Sequence, residues 1–535
     1  MRPMPWQPPV DLVPAEEAVA RRVRRAKLFV FLRRHRHTLF DAAFQEEVAT
    51  LYEDRRKGHP PVPPAVLALA TILQAYTGAS DADAVEAATM DRRWQLALDC
   101  LDCTDAPYSV GTLVSFRERL IAADLDRRLV ERTVEVAVQT KGCGHTALRA
   151  ALDSSPLWGA GRVEDTYNLV GHAVRTAASV LARQQGRELA EGAAEAGAHA
   201  PVVAGTSLKA ALDLDWDDPA ARIEALGIVL AALAEVEALV AAPPEGPARA
   251  RARAQEGVAV ARQVAAQDVE GGGRPDGAAT LREGVAPDRR ISVEDPDMRH
   301  GRKSRSRLID GYKRHVLRDL DHLDHEVVRA VGLTRANAPE ADVTEAIAGD
   351  LAAQGATLAE LHSDRAYLGS ALVRDRAPEL VIYCKAWPVR PGPGDRFAKT
   401  AFHLDWDRGV LTCPQGEALP FAPGGVVLFP AALCRACPLR DRCTASPRGR
   451  SVTIHPDERL LEELRARQHT AAGRAVLRER VHAEHSLAHM GAWQGDRARY
   501  RGQRKNLCDT RRMAVVENLH ILQRLPDAAD LPRAA

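Results

Sequence analysis

The apolar positions change period several times along the chain, and each change marks an element. Residues 1–125 read as helical. Pro63 and Pro64 precede 65–76, where Val66, Leu69 and Leu73 recur at helical spacing. Ser80 is placed to cap a second helix through Met90, and Ser109 a third over 110–121 that carries Thr112, Ser115, Arg117 and Arg119. Short helices joined by turns suit a small DNA-binding domain, and they suit any helical bundle equally well. At 147–153 the period becomes two: Leu148, Ala150 and Leu152 alternate with Arg149 and Ala151, which predicts a strand ending at Asp153.

Residues 175–290 then turn Ala-, Arg- and Glu-rich. Ile223, Leu226, Val229, Leu230 and Leu233 keep helical spacing, while Pro243, Pro244 and the glycines at 271–273 break the segment. This reads as a helical insertion with a loose end. Strand signals return over 312–317 and 326–333, around a polar turn at 321–324, as a hairpin. A helix over about 340–354, ended by Gly355, leads through a short strand to Asp364. A further helix and a strand over 380–384 follow, then a Pro-, Gly- and Cys-rich stretch at 390–450. Two helical segments, about 470–491 and 509–525, close the pattern. Without the two insertions, this order is that of a ribonuclease H-like sheet flanked by helices. The expected class is α+β, a mixed α/β core over 145–525 interrupted by 175–290 and 390–450, behind an all-helical domain at 1–130. Fold alone does not give function.

Composition narrows the picture. At roughly 100–200 residues per domain, 535 residues suggest three or four units. A hydrophobic content of 46% is enough to bury real cores. The net charge of +1 is silent about nucleic acid, but the local balance is not. Residues 21–36 carry eight Arg or Lys and no acid, 299–314 carry seven against one Asp, and 497–505 carry five and no acid. Each run alone could be a solvated face; three separated runs fit patches that meet phosphates better. The first 30 residues lack an apolar core with a small-residue cleavage site. The longest apolar run, 226–234, stops after nine residues, well short of the ~20 that span a bilayer. A cytoplasmic protein without membrane contact is expected, with its nine cysteines reduced.

Two carboxylates stand at predicted strand ends, Asp153 just ahead of Ser154, Ser155 and Pro156, and Asp364 in LHSDRAYLGS. A third, Glu484, lies on a predicted helix in RERVHAEHSLAHM. Such a set suits phosphodiester chemistry, because magnesium takes an octahedral oxygen shell with few protein carboxylates. Two ions about 3.5–4 Å apart can serve the attacking and the leaving oxygen. Glu479 and Glu517 compete with Glu484. Glu479, five residues earlier, falls about 140° around a continuous helix from Glu484. Glu517 sits in a packing stripe with Met513, Val516, Leu519 and Leu522, where a solvated or capping charge is expected. Arg480, four residues before Glu484, shares its helix face.

These words, in this order, resemble the DDE transposases of bacterial insertion sequences. The resemblance rests on Asp153 with the Ser-Ser-Pro that follows it, on Asp364 with Ala366 and Tyr367, and on Arg480 with Glu484. It continues through RYRG at 499–502 and Asn518 in ENLHILQRL. The stretches 295–316 and 334–342 also look like that group; 175–290 does not. Two positions depart from the related Y-x2-R-x3-E-x6-K signature, with Leu477 in place of Tyr and Gly491 in place of Lys. The resemblance implies a Mg2+ (or Mn2+) enzyme with Asp153, Asp364 and Glu484 as its metal-binding catalytic residues. It implies binding of the element's terminal inverted repeats, release of 3′ hydroxyls and their joining to target DNA. It further implies double-stranded DNA as partner, a homodimer or higher oligomer, and a cytoplasmic, nucleoid-associated location. The basic residues expected on DNA are Arg302, Lys303, Arg480, Arg499, Arg501, Arg504 and Lys505. Alternatives of other classes are a non-transposing ribonuclease H-like nuclease and a zinc-containing DNA-binding regulator.

Cys413, Cys434, Cys437 and Cys443 form C-x20-C-x2-C-x5-C, four thiols that could close a structural Zn2+ site. The same transposases carry a similar CPxG…CxxCPLRxxC segment between the second Asp and the Glu. Cys100 and Cys103 also have x2 spacing but no second pair, and read as core residues.

Overall fold

The computed structural model describes residues 2–54, 59–141, 146–191, 207–241, 247–271, 279–303, 306–321, 327–392 and 394–525. The Pro243-Pro244 break, Gly272, Gly273 and most of the expected turn at 321–324 lie outside them.

The N-terminal region is helical, as its spacing predicts. It comprises α1 (Pro14–Arg22), α2 (Leu28–Leu39), α3 (Ala42–Ala49), α4 (Pro64–Thr77), α5 (Asp81–Met90), α6 (Arg92–Leu98), α7 (Val110–Ala122) and α8 (Asp126–Lys141). Ser80 caps α5 through the Asp83 amide and Ser109 caps α7 through the Thr112 amide, at 3.1 and 3.2 Å. α4 is apolar all round and buried from Pro64 to Ala75, so it forms the centre of the bundle. The basic run at 21–36 is only partly a surface. Arg33 is buried against Glu16 and the carbonyls of Val10 and Asp11, and Arg36 against Asp99 and the carbonyls of Leu96 and Ala97. Of the Cys100/Cys103 pair only Cys100 is core; Cys103 is exposed.

The sheet holds six strands: β1 (Ala147–Trp158), β2 (Leu308–Asp319), β3 (Val328–Arg335), β4 (Thr357–Ser363), β5 (Val381–Tyr383) and a short strand Arg299–Arg302 that pairs antiparallel with the start of β2. The labelled strands lie in the order β3-β2-β1-β4-β5. β1 and β2 are antiparallel, as are β2 and β3; β4 runs parallel to β1, and β5 to β4. β1 does not end at Asp153. It continues to Trp158 by pairing with β2, Ser154 opposite His315 and Trp158 opposite Gly311. Pairing with β4 stops at Leu152. Beyond that point no strand of the described residues pairs along that edge of β1 until Arg497 bridges Trp158, and Pro156 is tolerated in between. Asp153 therefore sits at the fork where β1 and β4 part.

Alternation along β1 divides the two faces. Leu148, Ala150 and Leu152 pack with α9 (Thr344–Ala353) and α10 (Glu458–His469) through Ile347, Leu351, Leu460 and Leu464. Ala151 packs on the opposite face against Ala483, and Asp153 shares that parity. The expected single helix at 470–491 is in fact two, α11 (Ala471–Leu477) and α12 (Val481–Gln494), separated by a turn at 478–480. The last helix, α13 (Gln503–Arg524), starts earlier than 509. Gly502 precedes it at φ +90°, a conformation that favours glycine and lets its amide donate to Asp295.

α13 is buried along most of its length and joins the N-terminal bundle to the sheet. Met513, Val516 and Leu519 share one core with α2, α4 and α8 and with Val328 and Val331 of β3. Asn518 pins this junction. Its Oδ1 accepts from the Val328 amide at 2.7 Å, and its Nδ2 donates to the Val328 carbonyl at 2.9 Å and to Thr133 at 2.8 Å. Asn518→Leu should leave the buried Val328 groups unpaired and cost about 2–4 kcal/mol. Thermal melts check this; an unchanged Tm would show that the three bonds contribute nothing net.

The insertion between β1 and β2 begins at Thr166, earlier than its composition suggests. Its helices at Thr166–Gln184, Pro219–Ala241 and Ala248–Asp268 enclose a separate apolar core. Asp268 closes its root, accepting from Thr166 at 2.8 Å and pairing with Arg289. The Cys-rich insertion holds a three-stranded sheet, a two-strand ladder and two short helices around Phe402, Leu411, Phe429 and Val452.

Candidate active site

Three acidic side chains from distant parts of the chain meet on one cleft of about 800 Å³. Asp153 comes from the β1–β4 fork, Asp364 from the turn after β4, and Glu484 from the first turn of α12. Parallel pairing of β1 with β4 brings the two aspartates together: Leu152 stands opposite Ser363, so the next residue of each strand is the acid. Asp364 caps the short turn Arg365–Tyr367, its carboxylate accepting from the Arg365 amide. Asp153 is buried and accepts from the Ser154 amide at 2.8 Å.

Arg480 lies between two of the acids. Its Nη1 donates to Asp153 Oδ2 and its Nη2 to Glu484 Oε1, the latter at 2.8 Å. Burial pushes the Asp153 carboxyl up to about 6, against the opposing effects of Arg480 and the Ser154 amide; the charges of Glu484 and Asp364 push the same way as burial. Arg302, Lys303, Arg307, Lys313 and Arg314 also line the cleft, as do Glu340 and Asp496. Among the described residues, no group of three or more His, Cys, Asp or Glu side chains is arranged to hold a metal ion. The guanidinium of Arg480 occupies the position of the counter-cation. Three carboxylates, one of them held well above its usual range by burial and by its neighbours, are nonetheless a donor set suited to hard divalent cations.

Two arginines of β2 set α12 on the sheet. Arg314 donates to Ser155 Oγ and the Pro156 carbonyl on β1, and to Gln494 at the end of α12 at 2.9 Å. Arg318 donates to the His482 carbonyl and to Ser486 Oγ near its start. Behind the fork, the Tyr367 hydroxyl is 2.8 Å from His315 Nδ1, and His315 Nε2 is 2.9 Å from Thr334. Full burial drives the His315 imidazole down to about 3, so the ring is neutral. Of these, Tyr367, Ser155 and Pro156 stand in the words that carry the family resemblance, whereas Arg314, His315 and Arg318 were not singled out from sequence; their one available signal was polar residues inside the apolar alternation of β2.

Glu479 is not on the helix of Glu484, so the angle between them on one continuous helix does not apply. It lies in the turn before α12 and accepts from Arg149 at 2.8 Å. Glu517 is not solvated: it is 2% exposed, facing His489 and Arg318. Of the basic residues expected on DNA, Arg302, Lys303 and Arg480 line the cleft, and Arg499, Arg501, Arg504 and Lys505 are not among its lining. Arg504 pairs internally with Asp124 and Asp126, Arg501 with Glu294, and Arg499 donates to the Gly78 carbonyl at the end of α4.

Cys413, Cys434, Cys437 and Cys443 line a second cavity of about 380 Å³, with Phe397, Phe402 and Leu439. Burial raises the Cys443 thiol, and the three other cysteines add to the effect.

Two family models match the chain. A transposase DDE domain covers residues 412–523, which include the four cysteines, Arg480 and Glu484 but neither aspartate. A transposase domain (DUF772) covers 18–119, the helical region from the end of α1 to α7. Neither a curated protein nor a solved structure gives a significant match. The two matches support a DDE-type transposase of an insertion element. Among the described residues, no helix is long and apolar enough to cross a membrane.

Proposed function

We propose that the chain binds the terminal inverted repeats of its element, cleaves DNA there and joins the freed 3′ hydroxyls to target DNA. The observation that carries this reading is the convergence of Asp153, Asp364 and Glu484 on one cleft that Arg302, Lys303, Arg307 and Lys313 also line. The strand order and directions support a ribonuclease H-like core, with the helical region at 1–130 contributing end recognition. Asp153, Asp364 and Glu484 would hold Mg2+ or Mn2+. Two such ions, when bound, supply activation of the attacking oxygen and stabilisation of the leaving one.

The chain's own residues do the rest. Arg302, Lys303 and Lys313 bind the phosphate backbone along the cleft. Arg480, with its planar fork, binds the scissile phosphate. In the first step a water oxygen attacks phosphorus and the bond to the 3′ oxygen breaks, leaving a 3′ hydroxyl. In the second step that hydroxyl attacks a target phosphodiester, so one P–O bond forms as another breaks. Two ends must be processed together, which calls for a homodimer or higher oligomer acting on nucleoid DNA in the cytoplasm. The test is incubation of an end-containing duplex with the protein in magnesium and in calcium. Nicking at the end in magnesium alone is expected; no end-specific nicking in either ion would overturn the reading.

We propose that Cys413, Cys434, Cys437 and Cys443, which line one cavity but do not stand as a metal-binding group in this structure, would draw together around one structural Zn2+. Elemental analysis of protein never exposed to chelator should find one zinc per chain. Zinc well below one contradicts the assignment.

A further inference from the structure

We infer that Arg480 keeps the carboxylate site closed to divalent cations until DNA is bound, so that one guanidinium couples metal loading to DNA binding. The inference rests on the reading of Asp153, Asp364 and Glu484 as metal ligands.

The geometry is that of a cation already in place. The two terminal nitrogens of Arg480 donate to carboxylates of two different elements, Asp153 on β1 and Glu484 on α12. Those are two of the three side chains that a metal in this cleft must share. Arg480 engages one oxygen of each carboxylate, Asp153 Oδ2 and Glu484 Oε1, so a divalent ion held by these side chains would compete with the guanidinium for them. Asp153 is 8% exposed, and a buried carboxylate without a counter-charge is costly. Arg480 offsets part of that cost while no metal is present, and the same interaction opposes metal entry.

Arg480 is also placed to leave. It stands at the turn before α12 rather than inside a helix, and its side chain is 29% exposed. It lines the same cleft as Arg302, Lys303 and Lys313, where a phosphate backbone would lie. A phosphate there offers the guanidinium an equivalent bidentate anion. Moving to it frees the Asp153 and Glu484 oxygens at the moment when substrate is present. Linkage makes the effect reciprocal: DNA must tighten metal binding by the factor by which metal tightens DNA binding.

The test is Mn2+ binding to the full chain, measured by electron paramagnetic resonance, with and without an end-containing duplex. Arg480→Gln should tighten Mn2+ binding to the DNA-free protein by roughly tenfold, within the usual range of such couplings. The further tightening produced by DNA should shrink by the same factor. Arg480→Lys, which can reach only one carboxylate at a time, should fall between. Arg478→Gln removes an equal charge two residues away on an exposed side chain, and should leave Mn2+ affinity unchanged. Equal Mn2+ affinity of wild type and Arg480→Gln without DNA overturns the inference, as does an equal rise in Arg478→Gln. Failure of the underlying reading looks different: Mn2+ binding, with DNA present, that neither Asp153→Asn nor Asp364→Asn weakens.

Discussion

Asp153→Asn and Asp364→Asn should each reduce DNA cleavage by roughly a thousandfold or more while leaving end binding intact. Each replaces a carboxylate by a neutral group of the same shape, so a ligand charge is lost without a change in packing. The two variants should nevertheless differ in stability, because their environments differ. Asp153 is buried, and its carboxyl titrates at about 6 in the folded, metal-free protein against an ordinary 3.8. Between those values the folded state holds more protons than the unfolded state, so wild-type stability falls as pH rises from about 4 to about 6. Above 6 the deficit is constant, on the order of 3 kcal/mol at most. Asparagine does not ionise and escapes it. Metal-free Asp153→Asn should therefore melt above wild type at pH 7.5, with the gap closing towards pH 4. Asp364 is exposed, and its variant should melt within about 0.5 kcal/mol of wild type at both pH values. Cleavage assays in magnesium and paired melts in chelator check both halves. Near-wild-type cleavage by either variant removes that residue from the metal site; an Asp153→Asn protein less stable at both pH values shows that the Arg480 pair outweighs burial.

What could be read from sequence was local. Ser80 and Ser109 cap the helices they precede because an N-cap depends on three or four neighbouring residues. The start of β1, the helix ended by Gly355 and the strand before Asp364 follow from period and turn chemistry in the same way. What could not be read depended on distant partners. β1 runs five residues past Asp153 because β2, some 160 residues later, pairs with a polar Ser-Ser-Pro stretch that has no strand signal of its own. Arg33 and Arg36 look like a phosphate patch until Glu16, Asp99 and four backbone carbonyls close around them. Arg504 looks equally free until Asp124 and Asp126 meet it. Periodicity shows which face of a helix is apolar but not what covers it, so the shared core of α13 with the N-terminal bundle left no trace in one dimension. The acids of the candidate site were legible through their flanking words. The parallel pairing that juxtaposes Asp153 and Asp364 was not.

The choice of glutamate gives the sharpest remaining expectation. Glu484 lies on the exposed first turn of α12, its side chain 49% accessible, and it lines the cleft with both aspartates. Its one strong partner is Arg480. Glu484→Gln should therefore lose cleavage and strand transfer, as for the aspartates, at a stability cost within about 0.5 kcal/mol. Glu517 has the opposite setting. It is buried between α12 and α13, 3.2 Å from His489 and 4.0 Å from Arg318, with Oε2 lacking a hydrogen-bond partner. Arg318 in turn holds the His482 carbonyl and Ser486 of α12. Removing the Glu517 charge takes away its buried interactions with His489 and Arg318, so Glu517→Gln should cost about 1–3 kcal/mol. Because Arg318 keeps its contacts to α12, Glu484 stays in place, and residual cleavage per folded molecule should remain within a few fold of wild type. Cleavage, strand transfer and thermal melts on the two variants decide the matter together. If Glu517→Gln abolishes cleavage at unchanged Tm while Glu484→Gln cleaves normally, α12 is not the active-site helix, and the third ligand must come from the buried face of α13.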